Sequence, residues 1–337
     1  MNSKPLSFVT GASGFVGAAV ARVLEAKGHR LRLLCRPYND RRNLEGIRYF
    51  EVVEGDLGDP ASYTEALEGC NYLFHVAADY RIWVPDEMAM NRINVKGTRA
   101  LMQAANAAQI DKIVYTSSVA TLGIPKDGSG GTEDTPVVFN DMIGAYKRSK
   151  FLAEQAVLDM IQNEGLKAVI VNPSTPIGPR DIKPTPTGRI IVEAAKGRIP
   201  AFVDTGLNVA HVDDVAMGHW LALEKGKIGE KYILGGENLD FGEILAIVAA
   251  LTGRQAPTIK IPRLPLFPLA YAAELIARFT NKEPFMTVDG LRMAKKKMFF
   301  SSAKAKAQLG YAPRPAHAAI ADAVTWFKQN GYIPEDR

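Results

Sequence analysis

The sequence predicts an α/β fold, a doubly wound parallel sheet with a smaller C-terminal domain over its open side. Three observations carry that expectation. Short apolar runs alternate with helical stretches through the first half of the chain. The first run ends in a glycine-rich turn that opens a helix. After Asn172 the alternation breaks, and Pro173, Pro176, Pro179, Pro184 and Pro186 punctuate a loop-rich stretch.

The elements follow in order. Leu6–Thr10 reads as a strand, Gly11–Gly17 as the turn, and Val16, Val20, Val23 and Leu24 mark one face of a helix that Gly28 stops. Leu31–Cys35 is a second strand, closed by Arg36-Pro37, and Tyr49–Val53 a third, followed by Gly55-Asp56-Leu57. Tyr72–Val76, Lys112–Thr116 and Ala168–Val171 complete six, with helices expected at 60–69, 86–108 and 145–164. Val212–Lys225 returns to helix and Lys231–Leu234 to strand. Helices separated by Pro-rich turns such as Ile261–Pro268 follow. The expected division is 1–172, with 209–234 returning to it, for the sheet domain, and 173–208 with 235–337 for the smaller one. A binding cleft then falls at the carboxyl ends of the strands.

Composition narrows the classes. The 337 residues are 47% hydrophobic and 23% charged, which excludes a disordered or collagen-like chain. Lys plus Arg is 41 and Asp plus Glu 36, a net charge of +5 that suits a solvated surface or an anionic ligand. Cys35 and Cys70 make no disulfide framework, no Cys/His spacing resembles a zinc site, and no metal is expected. The polar stretch Met1–Leu6 is too short for a signal peptide, and no apolar run is long enough to span a bilayer. A reducing cytoplasm is the expected setting.

Gly11, Gly14 and Gly17 follow a strand and open a helix, the context in which such a triplet carries meaning. The turn lets backbone approach a pyrophosphate, and the helix N-terminus supplies unpaired N–H groups and a positive dipole. A tight strand–helix turn without a ligand is the competing reading. Arg36 stands at the end of the second strand with Arg41 and Arg42 after it, where an acid would hold the ribose of NAD. A guanidinium pairs with a phosphate bidentately, so NADP(H) is expected in preference to NAD(H). The positive excess therefore points to a cofactor phosphate, and no nucleic-acid partner is expected. Asp56 and Leu57 are placed beside the adenine, with a plain turn as the alternative for Asp56.

Tyr146 and Lys150 are four apart at the start of a helical run, hence on one face. A neighbouring ammonium favours the phenolate and would lower the phenol pKa, making Tyr146 a proton carrier. Ser118, in Tyr115-Thr-Ser-Ser-Val-Ala at the end of the fifth strand, can bond the same substrate oxygen. A Ser/Tyr/Lys set on a dinucleotide-binding (Rossmann) sheet describes hydride transfer at a C–OH/C=O carbon, with Lys150 also holding the nicotinamide ribose.

Gly11–Gly17, Asp56-Leu57, His75-Val-Ala-Ala, Asn94-Val-Lys-Gly-Thr, Tyr115–Ser118, Tyr146-x-x-x-Lys150 and His211-Val-Asp-Asp-Val-Ala together resemble the extended short-chain dehydrogenase/reductase family. They lie in the family's order over nearly the whole chain, and the tail from Phe300 to Arg314 also looks like this family's. The resemblance implies Ser118, Tyr146 and Lys150 as catalytic residues. It also implies a cofactor-contact set of Gly11, Ser13, Gly14, Phe15, Val16, Gly17, Arg36, Arg41, Arg42, Asp56, Leu57, Ala77, Ala78, Asn94 and Pro173. A structural role is the favoured one for Asn94. Homodimers, paired through the helices near 86–108 and 145–164, are implied as well.

Within the family, sugar-nucleotide enzymes often carry Arg-Phe-x-Asn-x-Tyr-Gly-Pro after the sixth strand and an Arg before the late His-Val. Here Thr175 stands in place of that Asn, and Leu207-Asn-Val-Ala-His-Val lacks the Arg. Both departures, with Arg36, favour a carbonyl reductase similar to dihydroflavonol reductases. His75–Trp83, Asn172–Asp181 with Lys183–Arg189, and Pro200–Gly206 also resemble bacterial hopanoid-associated sugar epimerases, which implies a sugar-like or lipid-linked substrate. The expected function is an NADP(H)-dependent oxidoreductase on such a substrate. An epimerase with transient oxidation and an NADP-binding regulatory protein are the alternatives. Tyr80, Trp83, Ser118, Thr175 and Arg180 are candidate substrate contacts, with core packing as the rival for Tyr80 and Trp83. Leu264–Phe279 is expected as a helix covering the cleft; its apolarity also suits a membrane or lipid tail, the less favoured reading. Lys295–Lys297 reads as a solvated face.

Overall fold

A computed structural model describes residues 4–81, 83–84, 86–280 and 282–334. Met1–Ser3 of the N-terminal stretch and Ile82, next to Trp83, lie outside them. Strands β1 (Leu6–Thr10), β2 (Arg30–Cys35), β3 (Phe50–Glu54), β4 (Tyr72–His75), β5 (Lys112–Thr116) and β6 (Ala168–Pro173) belong to one sheet. Three short strands, β7 (Thr175–Ile177), β8 (Ala201–Phe202) and β9 (Gly206–His211), precede β10 (Lys231–Leu234), which joins that sheet. Its order is β10-β6-β5-β4-β1-β2-β3, every pairing parallel. The chain reverses direction of travel at β1, whose Thr10 registers with both Leu34 and His75. In such sheets the ligand crevice lies at this switch point.

Helices cover both faces. On one, α1 (Phe15–Ala26) packs through Val20 and Leu24. On the other, two helices follow a short α2 (Glu87–Asn91): α3 (Thr98–Ala107) packs through Leu101 and Met102, and α4 (Gly144–Glu164) through Ala153, Val157 and Met160. Burying one such Leu or Met contributes about 1.5–3 kcal/mol, and the near-absence of exposure at these positions fixes the layers. The stretch expected as helix at 86–108 contains a π turn, Arg92–Gly97, between α2 and α3. The helix expected at 60–69 is two short 3-10 turns, Pro60–Ser62 and Glu65–Leu67. There Ser62 Oγ donates to the Asp59 carbonyl and Thr64 Oγ1 to that of Pro60, local bonds that compete with a continuing helix.

The proline-rich stretch is more ordered than its composition suggests. It holds β7 and helix α5 (Pro186–Ala195), because Pro186 sits in the first turn, where its missing N–H costs nothing, and Thr185 Oγ1 accepts from Gly188 N at 3.0 Å. Next come α6 (Val212–Lys225), which packs beside α1, and β11 (Glu237–Asp240). The latter forms a three-stranded sheet with β9 and β7. Helices α7 (Phe241–Leu251) and α11 (Ala316–Gln329) pack with α5 on that sheet through Ile191, Val209, Ile244, Val248, Ile320 and Phe327. Between those two helices lie β12 (Ile259–Lys260), α8 (Phe267–Thr280), α9 (Val288–Met293) and α10 (Ala303–Leu309).

Candidate active site

The glycine turn is built by crowding. Gly11 has φ +70°, and a Cβ there would stand 2.8 Å from Ala77 Cα and N, so turn and β4 exit touch backbone to backbone. A Cβ on Gly17 would fall 2.1 Å from the Gly11 carbonyl oxygen. Gly14 is exposed and caps α1 with no side-chain hydrogen bond, and the first turn carries no acid. The amides of a twelve-residue helix are thereby left for an anion, which fits the pyrophosphate of a dinucleotide. Ser13 Oγ accepts from Asn39 Nδ2 at 3.3 Å, while Phe15 and Val16 are half-buried against the α1 face of the core.

Thr10, at the β1 end, does work that the sequence reading left unassigned. Its Oγ1 accepts from Val76 N and Ala77 N, each at 3.1 Å, and lies 2.8 Å from His75 Nδ1. His75 Nε2 is 2.8 Å from Thr98 Oγ1, so a buried relay ties β1, β4 and α3. Burial and then Lys150 push the His75 pKa down to about 3, so the imidazole stays neutral. Ala78, next along, is half-buried.

Of the three arginines expected at the cofactor's ribose, Arg42 is held by Asp40 through a 2.6 Å ion pair and Arg41 is paired with Glu54. Arg36 is exposed and in no ion pair among the described residues, its charge reaching the Asp79 carboxylate that Arg81 holds. Asp56 Oδ1 accepts from Gly58 N at 2.8 Å, the turn role, and Leu57 is buried against Gly97.

The catalytic candidates converge at the ends of β5 and β6. Ser118 Oγ accepts from Ala120 N at 3.1 Å and stands beside the Tyr146 phenol. Burial raises the Tyr146 pKa and the neighbouring Ser118 hydroxyl opposes that shift, so the phenol is neutral. The lowering expected from Lys150 is absent. The reason is where the lysine points: its Nζ donates to the Thr116 carbonyl at 2.8 Å and to Tyr115 Oη at 3.3 Å. Burial pushes Lys150 down to about 8, opposed by Glu154. An ammonium has three donors, and two are spent here.

Glu154 also escaped the sequence reading. It is 1% exposed on the inner face of α4, one turn beyond Lys150. Its Oε2 accepts from Ser117 Oγ (2.5 Å), Thr121 Oγ1 (2.8 Å) and Asn172 Nδ2 (2.9 Å), and its Oε1 lies 3.5 Å from Lys231 Nζ. Its sequence signal was a carboxylate among Ala153 and Val157 on an apolar stripe. Asn94, in the π turn, exchanges bonds with Asp79 N (2.7 Å) and O (2.8 Å) and donates to Ser149 Oγ, which donates to the Tyr146 carbonyl at 2.8 Å. That is the structural role favoured for Asn94.

The substrate candidates divide. Tyr80 is 46% exposed, so core packing does not describe it, and its phenol is pushed up by burial and by the charges of Asp181, Asp79 and Glu283. Trp83 and Thr175 are half-buried, Thr175 in register with Val209. Pro173 ends β6, buried beside Leu234. Arg180 sits apart, ion-paired with Asp213 of α6 and beside Arg22 of α1.

Two hydroxyls and a buried ammonium at the strand ends of a doubly wound sheet, facing a glycine turn, define a class: an extended short-chain dehydrogenase/reductase. Residues 7–235 match the model of the NAD dependent epimerase/dehydratase family, and the chain belongs to that family. It is 43% identical over 330 residues (97% of this chain, 95% of the other) to a "Putative dihydroflavonol 4-reductase" of Synechocystis. It is 34% identical over 330 residues (97% and 99%) to "Sterol demethylase protein B" of Methylococcus capsulatus. Among solved structures, the crystal structure of gox2253 is 55% identical with a TM-score of 0.88, covering 98% of this chain and 100% of that one. A nucleoside-diphosphate-sugar epimerase from Pseudomonas aeruginosa is 26% identical with a TM-score of 0.79 (98% and 100%).

Proposed function

We propose that this enzyme is an NADP(H)-dependent oxidoreductase that reduces a carbonyl, or oxidises the corresponding alcohol, on a sugar-like or lipid-linked substrate. The observation that carries the reading is the placement of Ser118 beside the Tyr146 phenol, with Lys150 buried at the same strand ends. The nicotinamide, when bound, supplies or accepts the hydride. Tyr146, neutral through burial, gives its proton to the oxygen as it gains charge, and the Ser118 hydroxyl steadies that oxygen. Lys150 has one donor left to bind a ribose hydroxyl. The turn Gly11–Gly17 and the α1 N-terminus would hold the pyrophosphate, and Arg36, in no ion pair among the described residues, would take the 2′-phosphate. Tyr80 and Trp83 border the substrate.

Support for reduction comes from relatives named as reductases, among them the Synechocystis protein and a "2-alkyl-3-oxoalkanoate reductase" of Shewanella oneidensis, 30% identical over 324 residues. Epimerisation is the second reading, favoured by the Pseudomonas aeruginosa likeness. The test follows NADPH absorbance with a panel of sterol-like, long-chain and sugar carbonyls. Stoichiometric NADPH loss is expected; inversion at a carbinol carbon with unchanged absorbance overturns the reading. Arg36→Asp should weaken NADPH relative to NADH by about tenfold or more, equivalent to about 1.4 kcal/mol; an unchanged ratio defeats the 2′-phosphate assignment.

A further inference from the structure

Helix α8 is built inside out. Its inward stripe is Ala270, Ala273 and Ala277, all buried, and Ala270 packs with Val288 and Leu291 of α9. Its outward stripe is Pro268, Ala272, Leu275, Ile276 and Phe279, at the i, i+4, i+7, i+8, i+11 spacing of one helix face, with Leu269 and Tyr271 alongside. Leu275 is 56% exposed, Ile276 61% and Phe279 82%. Leu264 before the helix and Phe285 after it extend the patch. A water-facing helix normally buries its large apolar residues and exposes its small or polar ones, so a contiguous face of this kind marks an interaction surface.

Charge identifies the partner. Arg263 precedes the helix, Arg278 lies in its last turn and Lys282 follows it, and none of the three has an ion-pair partner among the described residues. The nearby acids are spent: the Glu274 carboxylate accepts from Val288 N at 2.8 Å, Glu283 pairs with Arg189, and Asp289 pairs with Arg292. A second copy docking on this face through a two-fold axis would set like cations against one another with no free acid between them. An anionic bilayer surface matches both features, taking the apolar stripe below the headgroups and the cations among them. No helix among the described residues is long and apolar enough to cross a membrane. The fourteen residues of α8, about 21 Å long, are of the kind that lies in the interface.

We propose that the exposed face of α8, flanked by Arg263, Arg278 and Lys282, docks the enzyme on anionic membrane. The placement has a consequence for access. Asp289 of α9 lies 3.0 Å from where a Gly144 Cβ would stand, two residues before Tyr146, so the docking helix rests on α9, which adjoins the helix that carries the phenol. A lipid-borne substrate would then enter from the bilayer side.

The test is vesicle co-sedimentation of the purified full chain with light scattering alongside. The wild type should pellet with vesicles of phosphatidylcholine containing about one-third phosphatidylglycerol and bind pure phosphatidylcholine about tenfold less. Leu275→Glu/Phe279→Glu should lose about tenfold or more of that binding, as should Arg278→Glu/Lys282→Glu. Thermal melts of both double variants should match the wild type, since the side chains changed are exposed. Wild type that stays in the supernatant, or equal pelleting of the apolar double variant, overturns the proposal. So does a wild-type dimer that Leu275→Glu/Phe279→Glu splits, which would make the face a self-interface.

Discussion

The amide of Asn172 donates to Glu154 Oε2 at 2.9 Å and to the Ser118 carbonyl at 3.0 Å. One side chain at the end of β6 thus couples a buried carboxylate on α4 to the backbone of Ser118 on the β5 exit. A carboxylate 1% exposed is costly unless its lone pairs are filled, and three donors plus Lys231 fill these. The four groups come from the β5 exit, the turn after it, β6 and β10. Glu154 therefore draws together the segments on which Ser118, Tyr146 and Lys150 are mounted.

Glu154→Gln should cost about 2–3 kcal/mol of stability, because one amide cannot accept from three donors and still face a lysine. Ser118 should lose its positioning, lowering kcat about tenfold with little change in KM. Lys231→Met should be milder, since Lys231 is partly exposed and 3.5 Å away. Urea melts and steady-state kinetics check both; equal effects of the two substitutions would show that the hydroxyl and amide bonds contribute nothing.

Tyr146→Phe removes one hydroxyl from a half-buried ring and leaves the packing. A fall in kcat of about 10²–10⁴ is expected, the range for loss of a general acid. NADPH affinity, read by fluorescence titration, should hold. Ser118→Ala should fall less, because Tyr146 still delivers the proton. Retained turnover in Tyr146→Phe would assign the proton to another group.

The strands, and the shared helix face of two catalytic candidates, were legible because they rest on local signals. Leu6–Thr10 and Lys112–Thr116 are apolar runs with sharp ends, and Tyr146 and Lys150 share a helix face whatever surrounds them. What was not legible depends on neighbours distant in sequence. The Tyr146 phenol was expected to feel Lys150, yet the ammonium turns to Thr116 and Tyr115, 34 and 35 residues away. Thr10 and His75 meet across 65 residues, and Glu154 finds Asn172 across 18. Arg41 and Arg42 follow Arg36 closely in sequence, but Glu54 and Asp40 hold them. At α8 the periodicity gave the helix, and only the packing showed which stripe faces out.

Lys150 gives a pH signature with a definite sign. Its folded pKa of about 8 lies below the unfolded 10.5, so the unfolded chain binds more protons between those values. Stability from this group therefore rises as pH climbs from about 8 to 10.5, by up to about 3 kcal/mol. Lys150→Met removes that rise, and the gap between the two proteins in urea melts should change by that order from pH 7.5 to 10. A constant gap refutes the depressed pKa. Reductive turnover should move the other way, falling above about pH 8 as the ammonium proposed to bind the ribose discharges.

Two glycines of the turn separate folding from cofactor binding. At Gly17 an added methyl meets the Gly11 carbonyl oxygen at 2.1 Å and its carbon at 2.6 Å, both backbone. Gly11 cannot retreat, because its own Cβ position is 2.8 Å from Ala77 in the β4 exit. Gly17→Ala must therefore push α1 off the sheet, at a cost of about 1–3 kcal/mol or more without any ligand. At Gly14 the backbone is extended, with φ −85° and ψ 175°, and the methyl meets only the Gly11 oxygen, at 3.2 Å. Gly14→Ala should leave the apo melting temperature within a degree or two. The same methyl stands at the open α1 N-terminus, where a pyrophosphate would approach, so NADPH affinity should drop about tenfold or more. Thermal melts with and without NADPH read both effects. If Gly14→Ala keeps full NADPH stabilisation, the α1 N-terminus does not hold the pyrophosphate.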